Sequence, residues 1–127
     1  MSSYVLDASA LLALLNNEPG AEQVAAILTE TVISSINLSE VVAKLADAGR
    51  SETEIREFLG ALELEVIHFD TEMAYCAGML RPLTRHLGLS LGDRACLALG
   101  QVLGLPVITA DRTWGDLDIG IEVQVLR

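Results

Sequence analysis

Short apolar runs alternate with longer amphipathic segments along this 127-residue chain. The runs are rich in valine and isoleucine and too short for helices, whereas the longer segments repeat apolar residues at helical spacing. The pattern predicts five strands, at residues 4–6, 31–34, 65–69, 106–109 and 121–126. It predicts helices at 8–15, 21–29, 38–48, 52–62, 71–87 and 91–103, and a short turn or helix at 111–117. Pro82 is expected to kink the helix at 71–87.

Strands that are apolar on both faces and separated by helices are typical of a parallel sheet buried between two helical layers. We therefore expect an α/β fold, a three-layer α/β/α sandwich with a central, mainly parallel sheet of about five short strands. Right-handed crossovers bring the carboxyl ends of all strands to one edge of such a sheet, where ligands bind. The length suits a single domain over residues 1–127.

Composition narrows the class of protein. With 51% hydrophobic and 20% charged residues, the chain resembles a packed globule and not a disordered one. No apolar run reaches the roughly 18 residues of a membrane helix, and residues 1–6 lack the basic start of a signal peptide. These features predict a cytoplasmic protein without a membrane partner. Cys76 and Cys96, together with His68 and His86, match no zinc-ligand spacing, so a metal would need oxygen ligands.

The charge is strongly acidic and unevenly distributed. Residues 1–72 hold 13 acids and 3 bases and so carry the whole net charge of −10. Residues 73–127 hold 5 acids and 5 bases. Binding of nucleic acid by charge alone depends on lysine and arginine, so this composition argues against it. It does not exclude a nuclease whose metal ions meet the phosphate.

Acidic residues recur where predicted strands end. Asp7 follows the first strand directly, and Asp111 follows the fourth with only Ala110 between them. Glu40 and Asp93 lie in the first turns of helices that point to the same edge, and Asp116 lies just beyond Asp111. Four or five carboxylates from separate segments are therefore expected to converge.

Each of these acids also has a purely structural interpretation. Asp7 is a good helix N-cap. Glu40 lies three residues after Asn37, and Asp93 three after Ser90, which is the spacing of a capping motif.

Crowded carboxylates repel one another and must bind protons or a cation. Oxygen ligands suit Mg²⁺ or Mn²⁺, which keep waters and substrate phosphate oxygens in their coordination shells. Two such ions about 3.5–4 Å apart would activate a water and stabilise the leaving oxygen of a phosphodiester. The acids therefore indicate metal-dependent phosphodiester hydrolysis.

Four sequence segments carry a family resemblance that spans essentially the whole chain. They are YVLDASA at 4–10, NLSEV at 37–41, LSLGDRACLA at 89–98 and TADRTW at 109–114. In this order and spacing they resemble the PIN-domain family, and most closely the VapC-type ribonuclease toxins of type II toxin–antitoxin pairs.

The resemblance implies a catalytic and metal-binding site. Its acids would be Asp7, Glu40, Asp93 and Asp111, with Asp7 and Asp93 as the most direct ligands and Asp116 at a more variable ligand position. Ser9 and Thr109 match hydroxyl positions that orient the first and last acids.

The resemblance also implies an activity and partners. The chain would be a Mg²⁺- or Mn²⁺-dependent endoribonuclease that cleaves RNA through a metal-activated water. It would form a homodimer and be neutralised by a cognate antitoxin protein, and it would meet DNA only indirectly, through that antitoxin.

Four arginines are candidates for holding RNA phosphates: Arg81, Arg85, Arg94 and Arg112. The alternative is that Arg94 and Arg112 pair with neighbouring carboxylates and that the other two are ordinary surface charge. The leucine-rich run at 11–15 suggests either a dimer or antitoxin surface, or core packing alone.

Two other classes of function are alternatives to a ribonuclease. The first is a catalytically silent PIN-like binding module, against which the complete set of acids argues. The second is a phosphoryl-handling α/β domain. A receiver would need paired acids after its first strand and a late lysine, and a phosphatase an Asp two residues after the first; here that position is Ser9, and Lys44 is the only lysine.

Overall fold

The computed structural model describes residues 2–127, and its centre is a parallel sheet. The strands are β1 Tyr4–Leu6, β2 Thr31–Ser34, β3 Glu65–Ile67, β4 Val107–Thr109 and β5 Val123–Val125. They lie in the order β3-β2-β1-β4-β5, and each neighbouring pair is parallel. The predicted five-stranded α/β class is confirmed.

Seven α-helices flank this sheet. They are α1 Ala8–Leu15, α2 Ala21–Ile27, α3 Ser35–Asp47, α4 Glu52–Ala61, α5 Thr71–Met79, α6 Arg81–Thr84 and α7 Leu91–Leu103. Short 3₁₀ turns occupy Leu28–Glu30, Arg85–Leu87 and Arg112–Asp116. Among residues 2–127, no helix has both the length and the apolar character needed to cross a membrane.

Alternating strand residues feed two separate cores, one on each face of the sheet. Val5, Val32 and Val107 pack with buried residues of α5 and α7. Their neighbours Leu6, Ile33 and Ile108 pack on the opposite face with residues of α1 and α3. Because strand side chains point to alternate faces, each apolar run covers both sides, which confirms the three-layer arrangement.

The leucine-rich run lies in α1 and contributes to the second of these cores. Leu11 is fully buried, and Leu12, Leu14 and Leu15 are half-buried and pack against the same cluster. Core packing therefore accounts for its apolar character.

Two predicted helices differ from the observed ones for local reasons. Helix α3 begins at Ser35 and not at residue 38, because the Ser34 hydroxyl caps it by accepting the Ile36 N–H at 3.2 Å. The helix expected at 71–87 is divided at Leu80 into α5, α6 and a 3₁₀ turn. Pro82 lies at the start of α6, where its missing N–H is tolerated.

The carboxyl ends of the strands lie along one edge, as expected for parallel pairing. Helices α1 and α3 begin immediately after β1 and β2. Helix α7 packs against both α3 and α5, so its first turn approaches this edge from the side. These three helix starts carry Asp7, Glu40 and Asp93, whereas Asp111 and Asp116 follow β4.

Candidate active site

Asp7 is the buried centre of the acidic edge. It follows β1 and occupies the N-cap position of α1, yet its side chain caps no backbone N–H. Its Oδ2 instead accepts hydrogen bonds from the Ser9 hydroxyl at 2.6 Å and the Thr109 hydroxyl at 3.0 Å. Only 4% of Asp7 is exposed. The helix-capping interpretation therefore does not explain this carboxylate.

The two hydroxyls have their directions fixed by backbone donors beyond β4. Ser9 Oγ accepts the Ala110 N–H at 2.9 Å, and Thr109 Oγ1 accepts the Asp111 N–H at 3.0 Å. Because each oxygen already accepts a hydrogen bond, its own proton is directed to Asp7. The pair thereby joins the ends of the adjacent strands β1 and β4.

The protonation of Asp7 shows how poorly its negative charge is compensated. Burial raises the pKa of the Asp7 carboxyl from 3.8 to about 6, although the Ser9 and Thr109 hydrogen bonds act in the opposite direction. The charges of Asp93 and Glu40 add to the rise. An ionised Asp7 thus lacks a positive partner, which a cation would supply.

Glu40 is held in place by Asn37, for which the sequence spacing predicts only a helix-capping role. Asn37 lies inside α3, fully buried, and its Nδ2 donates to Glu40 Oε1 and to the Gly92 carbonyl, both at 2.9 Å. The capping interpretation of Asn37 and Glu40 is wrong, because Ser34 caps this helix. Asn37 instead connects Glu40 to the start of α7.

Gly92 provides the surface on which Glu40 rests. A Cβ at Gly92 would overlap the Glu40 carboxyl group, with all three of its nearest contacts well inside van der Waals distance. The carboxylate therefore occupies space that any side chain at position 92 would fill. Asparagine within a helix and glycine in a first helical turn were the sequence signals for this arrangement, and both were missed.

Asp93 combines two roles at the start of α7. The predicted capping motif is confirmed, since Ser90 Oγ accepts the Asp93 N–H at 3.2 Å and Asp93 Oδ2 accepts the Ser90 N–H at 2.8 Å. This capping box fixes the carboxylate and leaves Oδ1 outside the cap.

The buried Cys96 thiol lies near three of the acids. The thiol is fully buried one turn after Asp93. Burial raises its pKa far above the usual value, and the charges of Asp7, Asp93 and Glu40 raise it further. All three carboxylates are therefore near enough to act on this thiol.

Asp111 and Asp116 lie on the open side of the edge. Asp111 Oδ1 caps the 3₁₀ turn by accepting the Thr113 N–H at 3.0 Å and the Thr113 hydroxyl at 2.7 Å. Asp111 is half-buried, and Asp116 is exposed at the end of the same turn. The Thr109 hydroxyl links Asp111 to Asp7, whereas no such link to Asp116 is found within residues 2–127.

The four candidate arginines are not paired with the acids. Arg94 Nη1 donates to the Ala77 carbonyl at 3.0 Å, and Arg81 Nη1 approaches the Leu89 carbonyl at 3.4 Å. Arg85 and Arg112 are exposed. Over residues 2–127 the one ion pair joins Arg56 and Glu52, so the proposed pairing of Arg94 and Arg112 with carboxylates is wrong.

The donor set suits a hard cation bound in an open manner. Across the part of the chain that is described, no three carboxylate, imidazole or thiol groups are arranged so that they could hold a metal ion by themselves. Mg²⁺ usually takes only one or two protein carboxylates and completes its octahedron with waters and substrate phosphate. Buried Asp7, with its raised pKa, and Asp93, with Oδ1 outside the cap, fit that requirement.

The acidic edge is distinct from the apolar groove beside it. That groove, of about 670 Å³ between α3 and α4, is lined by Leu38, Val42, Ile55 and Leu59, among others, and by none of the predicted site residues. The groove is therefore not part of the candidate site.

Several solved structures share this fold. A chain of VapBC2 from Rickettsia felis, bound to a DNA fragment from its promoter, superposes with a TM-score of 0.77 at 17% identity over 98% of both chains. A chain of DNA-bound VapBC from Salmonella typhimurium gives 0.72 at 24% identity, again over 98% of both. A chain of VapBC-1 from nontypeable Haemophilus influenzae gives 0.70 at 21% identity over 96% of both. At these identities the likeness establishes the fold.

The sequence itself provides the family. Among curated proteins no match to this chain is found. A family profile described as "PIN domain" nevertheless matches residues 4–120, which include every predicted acid and four of the five strands. The chain therefore belongs to the PIN-domain family.

Proposed function

We propose that the chain is a Mg²⁺- or Mn²⁺-dependent endoribonuclease and the toxin of a toxin–antitoxin pair. The observation that carries the proposal is the convergence of Asp7, Glu40 and Asp93 above Cys96, with the pKa of Asp7 raised to about 6. A purely structural cluster would be expected to include a neutralising lysine or arginine, and the arginines nearby bind backbone carbonyls.

Each acid has a distinct part in this proposal. Asp7 and Asp93 hold the cation directly, Glu40 and Asp111 complete the set, and Asp116 contributes from the outer turn. A bound Mg²⁺ or Mn²⁺ supplies the charge that makes a water nucleophilic and stabilises the leaving oxygen. Asp7 must lose its proton to bind a cation, and the hydroxyls of Ser9 and Thr109 hold its carboxylate in one orientation meanwhile.

RNA is the proposed substrate, and the exposed arginines are its proposed phosphate contacts. Arg112 directly follows Asp111, and Arg81 and Arg85 lie near the segment that leads into α7. Their positive charge offsets the repulsion between an acidic edge and a polyanion. Arg94 is half-buried against α5, so its contribution would come through the α5–α7 contact.

The related structures support a protein partner for this chain. Those from Rickettsia felis and Salmonella typhimurium are VapBC structures with DNA bound. We propose that this chain likewise pairs with a cognate antitoxin protein, and the family resemblance is the ground for proposing a homodimer as well. Its net charge of −10 favours contact with DNA only through that antitoxin.

Cleavage of purified total RNA tests the activity. Wild type should give discrete fragments with Mg²⁺ or Mn²⁺ and none with EDTA, and Asp93→Asn should give none. Asp47→Asn is the matched control, since Asp47 is an exposed acid at the far end of α3. Intact RNA together with no Mn²⁺ binding by calorimetry would overturn the proposal in favour of a catalytically silent binding module.

A further inference from the structure

Three of the acids at the edge each have one carboxylate oxygen that the protein itself holds. The held oxygens and their donors are Asp7 Oδ2 with the hydroxyls of Ser9 and Thr109, Asp93 Oδ2 with the Ser90 N–H, and Glu40 Oε1 with Asn37 Nδ2. No hydrogen bond from residues 2–127 is found to the other oxygen of each acid, namely Asp7 Oδ1, Asp93 Oδ1 and Glu40 Oε2. Each acid therefore has one oxygen left for a cation.

The number of oxygens that each acid presents bears on which divalent cation it suits. Mg²⁺ requires near-octahedral geometry at about 2.0–2.1 Å and is usually bound through one or two carboxylates together with waters. Ca²⁺ takes about six to eight oxygens, and it commonly uses both oxygens of one carboxylate. Acids that present one oxygen each therefore suit Mg²⁺ better than Ca²⁺.

Glu40 is the acid that could most easily present a second oxygen. The held oxygen of Asp7 has two donors, and that of Asp93 belongs to a capping box. The held oxygen of Glu40 has a single donor within residues 2–127, which is Asn37. Glutamate is also the residue that binds through both oxygens in the calcium loops of EF-hands. The Asn37 hydrogen bond therefore decides how many oxygens Glu40 can present.

The environment of Asn37 shows that its amide is placed to donate. Asn37 is fully buried, and its Nδ2 donates to Glu40 Oε1 and to the Gly92 carbonyl, both at 2.9 Å. An ionised carboxylate and a carbonyl can only accept, so the nitrogen of the amide must face them. Its Oδ1 is buried and has no hydrogen-bond partner within residues 2–127. Because a buried acceptor without a partner is unfavourable, the contribution of Asn37 to stability does not explain its presence.

Gly92 completes the support of Glu40. Its carbonyl fixes the Asn37 amide, and its missing side chain leaves the space in which the Glu40 carboxyl group lies. Glu40 is therefore held from two sides, with Oε1 turned to Asn37 and Oε2 left without a donor from residues 2–127.

We propose that Asn37 is a specificity residue of the cation site. By holding Glu40 Oε1 it restricts Glu40 to one oxygen, and it thereby favours Mg²⁺ over Ca²⁺. This inference rests on the metal site of the proposed function. Its test compares two cations and does not measure RNA cleavage.

Competition against bound Mn²⁺ tests the assignment in the full chain. Electron paramagnetic resonance of free Mn²⁺ gives the concentrations of Mg²⁺ and of Ca²⁺ that release half of the bound ion. Ca²⁺ should be the weaker competitor in wild type. Asn37→Ala should shift the ratio of the two concentrations towards Ca²⁺ by at least about 10-fold, because partners that orient a metal ligand typically change affinity by about 10–100-fold.

Thr84→Val is the matched control for the loss of a buried polar group. Thr84 is fully buried, and its hydroxyl donates to the Leu80 carbonyl at 2.9 Å, away from the acids. This variant should lower Tm and leave the ratio unchanged. Asn37→Ser, whose hydroxyl is too short to replace the amide, should shift the ratio as Asn37→Ala does and serves if that variant fails to fold.

A double variant tests whether Glu40 is the source of the change. Asn37→Ala combined with Glu40→Gln should lose the gain in Ca²⁺ competition, because glutamine offers a single oxygen. A gain that survives in the double variant would contradict the role given to Glu40.

The two proposals fail in different ways. Wild type that binds no Mn²⁺ would overturn the metal site of the proposed function, and the role of Asn37 with it. Mn²⁺ binding by wild type, with an unchanged ratio in folded Asn37→Ala or Asn37→Ser, would overturn the role of Asn37 alone. A purely structural Asn37 would give that second result, because its loss would weaken both cations equally.

Discussion

Apart from Asp93 at the start of α7, the acids of the site divide into an inner pair, Asp7 and Glu40, and an outer pair, Asp111 and Asp116. Asp7 and Asp111 both follow adjacent strands, β1 and β4, at the same edge. Asp7 is 4% exposed and lies within reach of other negative charges. Asp111 is half-buried, and its Oδ1 is occupied by Thr113 in capping the following turn.

This difference shows that strand order places an acid but its neighbours decide its chemistry. The oxygens of the inner pair receive hydrogen bonds from the distant Thr109 and from Asn37, in arrangements that serve no helix cap. The oxygens of Asp111 receive theirs from the next turn of chain. We therefore expect Asp7, together with Asp93, to dominate cation binding, Glu40 to support them, and the outer pair to modulate it.

The largest expected effect is the loss of RNA cleavage when the two aspartates at strand ends, Asp7 and Asp111, are replaced. Asp7→Asn should reduce cleavage by more than the roughly 10–100-fold that loss of a supporting partner costs, because it removes a direct ligand. Asp111→Asn should reduce cleavage by an amount within that range, roughly 10–100-fold. Initial rates on a mapped RNA fragment at saturating Mn²⁺ measure both, and equal losses would erase the distinction between inner and outer acids.

The second expected effect is on stability without metal. The pKa of Asp7 is about 6 in the folded protein, and its ordinary value of 3.8 applies to the unfolded chain. Between these two pH values the folded state therefore keeps a proton that the unfolded state has lost. The metal-free protein should therefore lose stability as pH rises from about 4 to 6, by about 3 kcal/mol relative to Asp7→Asn. Urea unfolding of both proteins in EDTA at several pH values measures this difference.

Added metal provides the control for that experiment. If the ionised Asp7 carboxylate is the proposed metal ligand, Mn²⁺ should restore wild-type stability near neutral pH and affect Asp7→Asn much less. Parallel pH profiles for wild type and Asp7→Asn in EDTA would mean that Asp7 is not desolvated as described.

The third prediction concerns the support of Glu40. Gly92→Ala should displace the Glu40 carboxylate and lower cleavage by about 10–100-fold, since the new methyl group occupies its position. Gly60→Ala in α4 is the matched control, because a Cβ there meets nothing within 4 Å. That control should keep full cleavage and gain about 0.5–1 kcal/mol of stability. If Gly92→Ala cleaves RNA as fast as wild type, cleavage does not require the Glu40 carboxylate at this position.

The smallest expected effect distinguishes the two threonine hydroxyls that donate to Asp7 and to Asp111. Thr109→Val removes a donor to Asp7 and should cost cleavage roughly 10-fold, at the low end for a supporting partner. Thr113→Val removes a donor to Asp111 and should cost less. Comparing Mn²⁺ affinity by calorimetry with Tm shows whether each loss acts on the site or on folding, and a larger effect at Thr113 would reverse the assignment.

Much of the fold was predictable because its signals are local. The strands at 4–6 and 31–34 and the helices at 8–15 and 91–103 lie where the pattern predicts them. The edge that collects Asp7, Glu40 and Asp93 follows from parallel pairing and right-handed crossovers. The break near Pro82 was predictable from the missing N–H of proline.

The remainder depended on contacts between residues far apart in the chain. Asn37 binds the Gly92 carbonyl 55 residues away, and Thr109 binds Asp7 across 102 residues. No local pattern encodes such pairs. The start of α3 was missed for a smaller reason, since Ser34 served both as the last strand residue and as the cap.

Gly92 also changes what counts as a complete site when sequences are compared. A motif defined only by four acidic positions would accept a homologue with alanine at the position of Gly92 and would count it as a competent nuclease. In such a protein the glutamate would be present in the sequence yet excluded from its place by a single methyl group. Sequence comparisons should therefore consider the missing side chain at position 92 together with the four carboxylates.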